Sequence, residues 1–571
     1  MTSSTSRQCS FYDFYRIRFF ADNCCLGALY TKCASLLKRR FKTILTMEPQ
    51  KRIAIVGAGP SGLVAAKEAL ENGLIPTVFE SKSDIGGVWS TSGSVWDTMH
   101  TNISKFTTTF GDFRWPDDTE MFPSAYDMLY YLNEYTTEWK LRAYIKFNAN
   151  VVSVASNGED PNNIALKGWA IQWIENGAPL QTDLFDGVIV AAGIFSKGDI
   201  PELPGLSAFG GKVIHSRDYK SGQSFKGLKV LTVGGSFSGA EIASDVSNHS
   251  AVSHHCFRRP FWILNRYLPD KKSGKSSLPL DLLFYTRSFY EMTTTVTEEE
   301  SNISKNKYMS SICKQQQDIA ELTIEEEDFH KPYNVTVSDQ YLEQVEQKTL
   351  IPHKSEISEI NNSTIRFAND DTIEVDAIIL CTGFNTDLSF LAPNVLQKIM
   401  YEPTDRLQPV ILFNECCHPD VKNLFFVGLY KGPYFAVMEQ QARLAARVLS
   451  GRVDLPNLEL LTEGLKYEKA IRDANPRPQF PHPEYVLFAD KIATCANSFP
   501  DLKKFKESSY SLSDAFGVAL KENALHLEQQ KSEIYERFMS EPVTPSHYNL
   551  VEDPIGTLSQ MDVVQEVIQK L

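Results

Sequence analysis

Two stretches of the chain impose the same backbone course, and together they restrict the fold more than any other feature. In the first, the apolar run Ile53–Val56 enters Gly57-Ala58-Gly59-Pro60-Ser61-Gly62. A helix follows over Pro60–Asn72, with Ala65, Ala66, Ala69 and Leu70 on one face and Gly73 as its stop. The next strand is predicted at Thr77–Glu80. In the second stretch, Lys229–Val233 enters Gly234-Gly235-Ser236-Phe237-Ser238-Gly239, a helix runs over Gly239–Val246, and a strand follows at Ser253–Phe257. A short apolar strand leading through glycines into a helix belongs in a parallel sheet covered on both faces, so the chain is α/β. Two further buried strands, Ala377–Leu380 and Leu424–Val427, end at Thr382-Gly383 and Gly428.

The glycines have separate tasks. Gly57 permits the tight turn, Gly59 lets a diphosphate approach the backbone, and Gly62 lets helix and strand pack closely. The helix start, reached through Ala58, Pro60 and Ser61, offers N–H groups and the positive end of the helix dipole to phosphate oxygens. Glu80, 23 residues after Gly57, stands where a carboxylate accepts hydrogen bonds from ribose hydroxyls. In the second loop Ser236 takes the place of the middle glycine; its hydroxyl is able to bond a phosphate, while its Cβ narrows the approach. Arg258 and Arg259 close the following strand, where arginine accommodates a ribose 2′-phosphate. The first site therefore suits an unphosphorylated ribose and the second suits NADPH; the adenine dinucleotides of that pairing are FAD and NADPH, one retained and one donating hydride.

The expected architecture is α/β with two Rossmann-like dinucleotide-binding domains, the FAD domain discontinuous and the NADP domain inserted, plus a C-terminal tail. The boundaries read as an N-terminal extension at 1–46, FAD domain at 47–207, NADP domain with an insertion at 208–345, FAD domain again at 346–455 and an extension at 456–571. Pro269–Tyr333 is polar and reads as an irregular insertion, and the tail has helical segments near Leu520–Met539. The net charge of −14 opposes a nucleic-acid-binding role. No apolar run approaches the roughly 18 residues of a spanning helix. The ten cysteines form no C-x-x-C pair and no spaced Cys/His cluster, so neither a metal site nor a redox dithiol is expected, and scattered thiols suit a reducing, cytoplasmic setting. Residues 1–46 are basic and cysteine-rich. They are either an organellar or membrane-peripheral targeting extension or lie ahead of a working start at Met47. Tyr126, Tyr130 and Tyr131 are expected to pack a helix of the FAD domain.

Phe209-Gly210-Gly211-Lys212-Val213-Ile214-His215-Ser216-Arg217-Asp218-Tyr219-Lys220 fits F-x-G-x-x-x-H-x-x-x-Y/F just before the second glycine loop. By it the chain resembles the flavin-containing monooxygenases of the dimethylaniline N-oxide-forming type, class B flavoprotein monooxygenases. Further matches fall in family order over about residues 50–450: Gly86-Gly87-Val88-Trp89 resembles the segment lying along FAD, and Thr101-Asn102-Ile103-Ser104-Lys105 that of the active site. Leu380-Cys381-Thr382-Gly383-Phe384 resembles the family's A-T-G-Y strand end, and Glu439-Gln440-Gln441-Ala442-Arg443 the helix beside the flavin. Departures are Ser236, the Ala191-Ala192-Gly193 strand end and a polar C-terminus, Gln565–Leu571, where animal microsomal members carry an apolar anchor.

The resemblance implies an NADPH- and FAD-dependent monooxygenase that oxygenates the nucleophilic nitrogen or sulfur of a small amine or sulfide with molecular oxygen, through a C4a-hydroperoxyflavin. It implies Asn102 as the catalytic residue, and Gly87, Val88, Trp89, Thr101, Ile103, Thr382 and Gln441 beside the cofactors, with the residues of both glycine loops. Trp89 either packs on a flat ring or fills core, and His215 is structural or NADP-adjacent. Alternatives are a Baeyer–Villiger or N-hydroxylating monooxygenase and an NADPH oxidase or flavin reductase. The assembly is left open, a homodimer included.

Overall fold

The computed structural model describes residues 50–158, 167–270, 275–288, 290, 296–432, 434–482, 484–516 and 525–570. The extension at 1–46 and its two readings lie outside them. Two five-stranded parallel sheets carry the fold. The first has the order Leu424–Phe426, Gly187–Val190, Arg52–Val56, Ile75–Phe79 and Ile145–Lys146. The second has the order Leu350–Lys354, Val252–Phe257, Lys229–Val233, Ala377–Leu380 and Lys212–His215.

Burial on both faces explains the apolar runs. Along Arg52–Val56, Ile53 and Ile55 enter one core with Leu63, Ala66 and Ala445, while Ala54 and Val56 enter another with Trp169 and Phe426. In the second sheet Val230 and Ile379 face one cluster, Leu231, Ile378 and Leu380 the other. Each such aliphatic side chain contributes roughly 1.5–3 kcal/mol over an exposed one, so alternation with polar residues would cost a core. Each sheet is accompanied by a three-stranded antiparallel meander, Ala149–Phe185 beside the first and Ile357–Glu374 beside the second.

Two strands beyond residue 345 join the second sheet: Leu350–Lys354 pairs with Val252–Phe257, and Ala377–Leu380 lies between Lys229–Val233 and Lys212–His215. The polar stretch after Pro269 is not wholly irregular. It contains the helix Glu298–Ile312, started by a Thr297–Glu300 capping box.

Tyr126, Tyr130 and Tyr131 do not act as one stripe. In the helix Ala125–Glu138, Tyr131 is buried with Met128 and Tyr135, whereas Tyr126 and Tyr130 are 77% and 50% exposed. Positions 126 and 130 share a face and 131 points away from it, as 3.6 residues per turn requires.

The C-terminal region is built into the molecule. Arg287 forms a bidentate pair with Asp490 at 2.9 Å and donates to the Phe538 carbonyl. Arg443 donates to Tyr548 O and Asn549 Oδ1. The tail's own small core gathers Phe505, Phe516, Ile534, Phe538 and Leu550.

Candidate functional site

The first glycine turn is shaped by contacts that leave no room for side chains. Gly57 has φ +105°, and a Cβ there would lie 2.5 Å from Ala191 O. A Cβ on Gly62 would lie 1.8 Å from Gly57 O. Gly59 and Gly87 face each other, with an added Cβ on either within 3.4 Å of the other's Cα. The helix Pro60–Glu71 starts at Gly59 with proline in its first turn and no side-chain cap, so its first N–H groups point outward for an external acceptor. Ser61 does not offer its hydroxyl there; Oγ donates to Met438 Sδ. Glu80 is buried, its two oxygens accepting from Ala58 N at 2.7 Å and Lys82 N at 2.8 Å. Lys82, which the sequence reading passed over, donates to Gly87 O and Ser90 Oγ and so braces the Gly86–Trp89 segment on this turn.

The second turn repeats the first contact for contact. Gly234 N donates to Cys256 O at 2.9 Å, as Gly57 N does to Phe79 O at 2.8 Å. A Cβ on Gly234 would lie 2.2 Å from Cys381 O, and one on Gly239 1.7 Å from Gly234 O. Ala191 and Cys381 thus play one part, backing a glycine with a carbonyl, so Ala192 in place of threonine changes nothing at that contact. Ser236 caps the helix Phe237–Ser247 at φ −143°, extended backbone open to any residue, and no side chain caps that helix. Arg258 is 73% exposed just past its strand, 3.9 Å from Glu356, and Arg259 is exposed beside it.

One cavity of about 2360 Å³ is lined by the second turn and by Val88 and Trp89, which follow the Gly87 that packs on Gly59 of the first. Gly234, Ser236, Phe237, Ser238 and Arg258 line it from one side, and Val88, Trp89, Thr101, Asn102 and Ile103 from the other. Trp89 is half-buried: it packs against the core and also shows a face to the cavity. Asn102 is fixed from the opposite domain. Arg266 Nη2 donates to Glu241 at 2.6 Å and more weakly to Asn102 Oδ1 at 3.4 Å, while Nε donates to Thr101 O at 3.0 Å and Nη1 to Asp339 at 2.8 Å. Burial pushes Glu241 up to about 7 against the pull of Arg266. Below the same loop, fully buried Asp281 accepts from Ser104 N, Ser104 Oγ and Thr107 Oγ1. Neither Arg266 nor Asp281 was legible as a site residue, since their partners lie 160–180 residues away in sequence. Among the described residues Asn102 Nδ2 has no acceptor, so the cavity holds a donor whose oxygen end is already pinned.

The family model described as flavin-binding monooxygenase-like matches residues 50–518. The chain belongs to that family. Flavin-containing monooxygenase 5 of Mus musculus is 28% identical over 470 residues, covering 79% of this chain and 84% of the relative. Dimethylaniline monooxygenase [N-oxide-forming] 2 of Mus musculus is 27% identical, covering 82% and 87%. In fold the chain is similar to S-allyl-L-cysteine S-oxygenase from Allium sativum, with TM-score 0.57, 21% identity and coverage of 92% and 99%. It is also similar to an NADP+-bound cyclohexanone monooxygenase mutant from Rhodococcus sp. Phi1, with TM-score 0.59, 14% identity and coverage of 78% and 97%.

This flavin-binding monooxygenase takes FAD and NADPH. The uncapped helix starts and paired glycine faces fit two diphosphates: Gly57–Gly62 with Glu80 would hold FAD, Gly234–Gly239 with Arg258 NADPH. Other expected residues act on the backbone. His215 Nδ1 accepts from Arg217 N and Nε2 lies 3.0 Å from Gly383 O, with burial holding its pKa down, so both ring nitrogens are engaged and the residue is structural. Tyr219 is buried on Asp245, and Lys220 donates across to Gly93 O and Val95 O. The identifying stretch thus clamps one domain to a loop of the other. Thr382 donates to Asp199 O while standing on the cavity wall. Gln441 is buried, its Oε1 accepting from Gly428 N and its Nε2 donating to Asn414 O and Glu415 O, so it shapes the Gly428 turn. Behind that turn Glu415, Glu468 and His482 form a buried cluster, with His482 Nε2 3.0 Å from Glu468.

Proposed function

We propose that this monooxygenase oxygenates the nucleophilic nitrogen or sulfur of a small molecule, that Asn102 is its catalytic residue, and that it works in the cytoplasm. The observation that carries the reading is Asn102 on the wall of the cavity that Val88, Trp89 and the second nucleotide turn also line, with Oδ1 3.4 Å from Arg266 Nη2. FAD, reduced by NADPH, supplies the activated oxygen when bound. The chain orients and encloses. Its two turns bring both dinucleotides to one space, and Asn102 donates a hydrogen bond there in a fixed direction, without the reorganisation that a free amide would need. Trp89, Met99, Phe237, Tyr285, Tyr333 and Phe435 line the same space and exclude water from it. A neutral amine or sulfide needs no general base, which agrees with His215 being engaged on backbone. One mouse relative is named for N-oxide formation. Among the described residues no helix is long and apolar enough to cross a membrane.

Turnover under oxygen-18 with NADPH and either N,N-dimethylaniline or a dialkyl sulfide tests the reading. One labelled oxygen per product is expected, with little lactone from cyclohexanone. NADPH consumption that yields hydrogen peroxide alone overturns it.

A further inference from the structure

Three cations line the cavity: Lys431, Arg406 and Arg477. Lys431 follows Gly428, whose φ is +78° and where a Cβ would lie 2.0 Å from Ser61 Oγ, so the segment leaves the first sheet beside the first nucleotide helix. Arg406 donates to Thr382 O at the end of the second sheet and lies 3.1 Å from Asp199. Arg477 Nη1 is 2.8 Å from Asp405, while its Nη2 is buried without an acceptor among the described residues. Two cations thus have acids. Lys431 has no hydrogen bond or ion pair among the described residues; burial, then Arg406 and Arg477, push it down to about 8 against the pull of Asp405. A half-buried ammonium with guanidinium groups near it is costly unless an anion joins it.

The cofactor phosphates have acceptor sites elsewhere: two uncapped helix starts for the diphosphates and Arg258 for the 2′-phosphate. Of these three cations Lys431 alone has no acid in contact among the described residues, which suits one monoanion. We propose that Lys431, with Arg477 beside it, is an anion subsite of the oxygenation cavity and that the substrate places a carboxylate there. The proposal rests on the oxygenase reading of this cavity and adds the substrate's charge to it.

Calorimetric titration of the full chain loaded with FAD and NADP+ tests it, using 3-(methylthio)propanoate and its neutral amide. The carboxylate is expected to bind at least tenfold more tightly than the amide, Lys431→Met to erase that preference and Lys431→Arg to keep it. Equal affinity of the two probes for the wild type, or a preference that survives Lys431→Met, overturns the proposal. Should Lys431→Met fail to retain FAD, Arg477→Gln takes its place; it is expected to cut the preference at least threefold, and an unchanged preference refutes the subsite. A loss that falls on NADP+ affinity instead assigns Lys431 to a cofactor phosphate and also refutes it. Because binding is read without turnover, a carboxylate preference without oxygen-18 incorporation would leave the subsite standing and remove the oxygenase reading alone.

Discussion

Asn102 and Arg258 make two different demands on one cavity. Asn102 presents a donor whose orientation is set by Arg266, so its removal should act on the chemistry more than on binding. Asn102→Ala is expected to lower oxygenated product per unit time by about a hundredfold, the scale of one lost oriented donor, with NADPH affinity changed little. Steady-state kinetics with a direct NADPH titration decides this, and unimpaired oxygenation would remove Asn102 from the active site. Arg258 is exposed and has only a distant acidic neighbour, an arginine available to a 2′-phosphate. Replacing it by alanine should weaken NADPH by about tenfold or more, as the loss of a charge-assisted bond implies, and leave NADH nearly unaffected. Equal losses for both nucleotides reject the 2′-phosphate role.

At the scale of an element, the strand–turn–helix unit is held by backbone against backbone. Gly62 belongs to a helix that starts too close to Gly57 O for any side chain, since an added Cβ would come within 1.8 Å. Neither neighbour is a flexible side-chain end, so the helix itself must move. Gly62→Ala is expected to cost roughly 1–3 kcal/mol and to release FAD. Urea unfolding and the visible flavin absorbance of purified protein read both effects; full flavin content would show that the cradle tolerates the shift. The helix Ala125–Glu138 teaches a different lesson. Its aromatic residues were legible, but their division into a buried and an exposed face depends on what packs there: Tyr131 meets Phe110, Phe113 and Trp115, and Tyr135 meets Phe110 and Phe113.

At the scale of the molecule, the C-terminal region reaches the core through a buried ionic cluster. His482 stacks on Phe488 at 4.0 Å and lies 3.0 Å from Glu468 and 3.7 Å from Glu415, with Gln408 donating to both carboxylates and Tyr467 nearby. Burial works against its charge, but the two carboxylates outweigh it and raise its pKa from 6.5 to about 9. A raised folded-state pKa gives stability that is fully present below the unfolded value and is lost as pH climbs through the folded one. The wild type should therefore lose up to about 3 kcal/mol between pH 6.5 and 9.5 from this group, and His482→Gln should lose less. Parallel urea titrations at the two pH values check it; the same decline in both proteins would discard the role. The glycine turns, their flanking strands and the positions of Glu80 and Arg258 were legible because each depends on local backbone shape or on a fixed spacing along one βαβ unit, whereas Asn102 came only from the family resemblance of its segment. Arg266 beneath Asn102, Asp281 beneath Ser104, Gln441 turned onto Gly428 and Lys431 facing the cavity were not, because each acquires its role from partners brought together only when the two sheets and the C-terminal region pack. By itself the sequence determined that the fold is α/β and that it takes two dinucleotides. The tertiary structure alone decided that the second turn, Val88, Trp89 and Asn102 share one cavity, that Ala377–Leu380 joins the second sheet, and which side chains from distant segments bear on that cavity, since burial and hydrogen-bond geometry are properties of the packed chain.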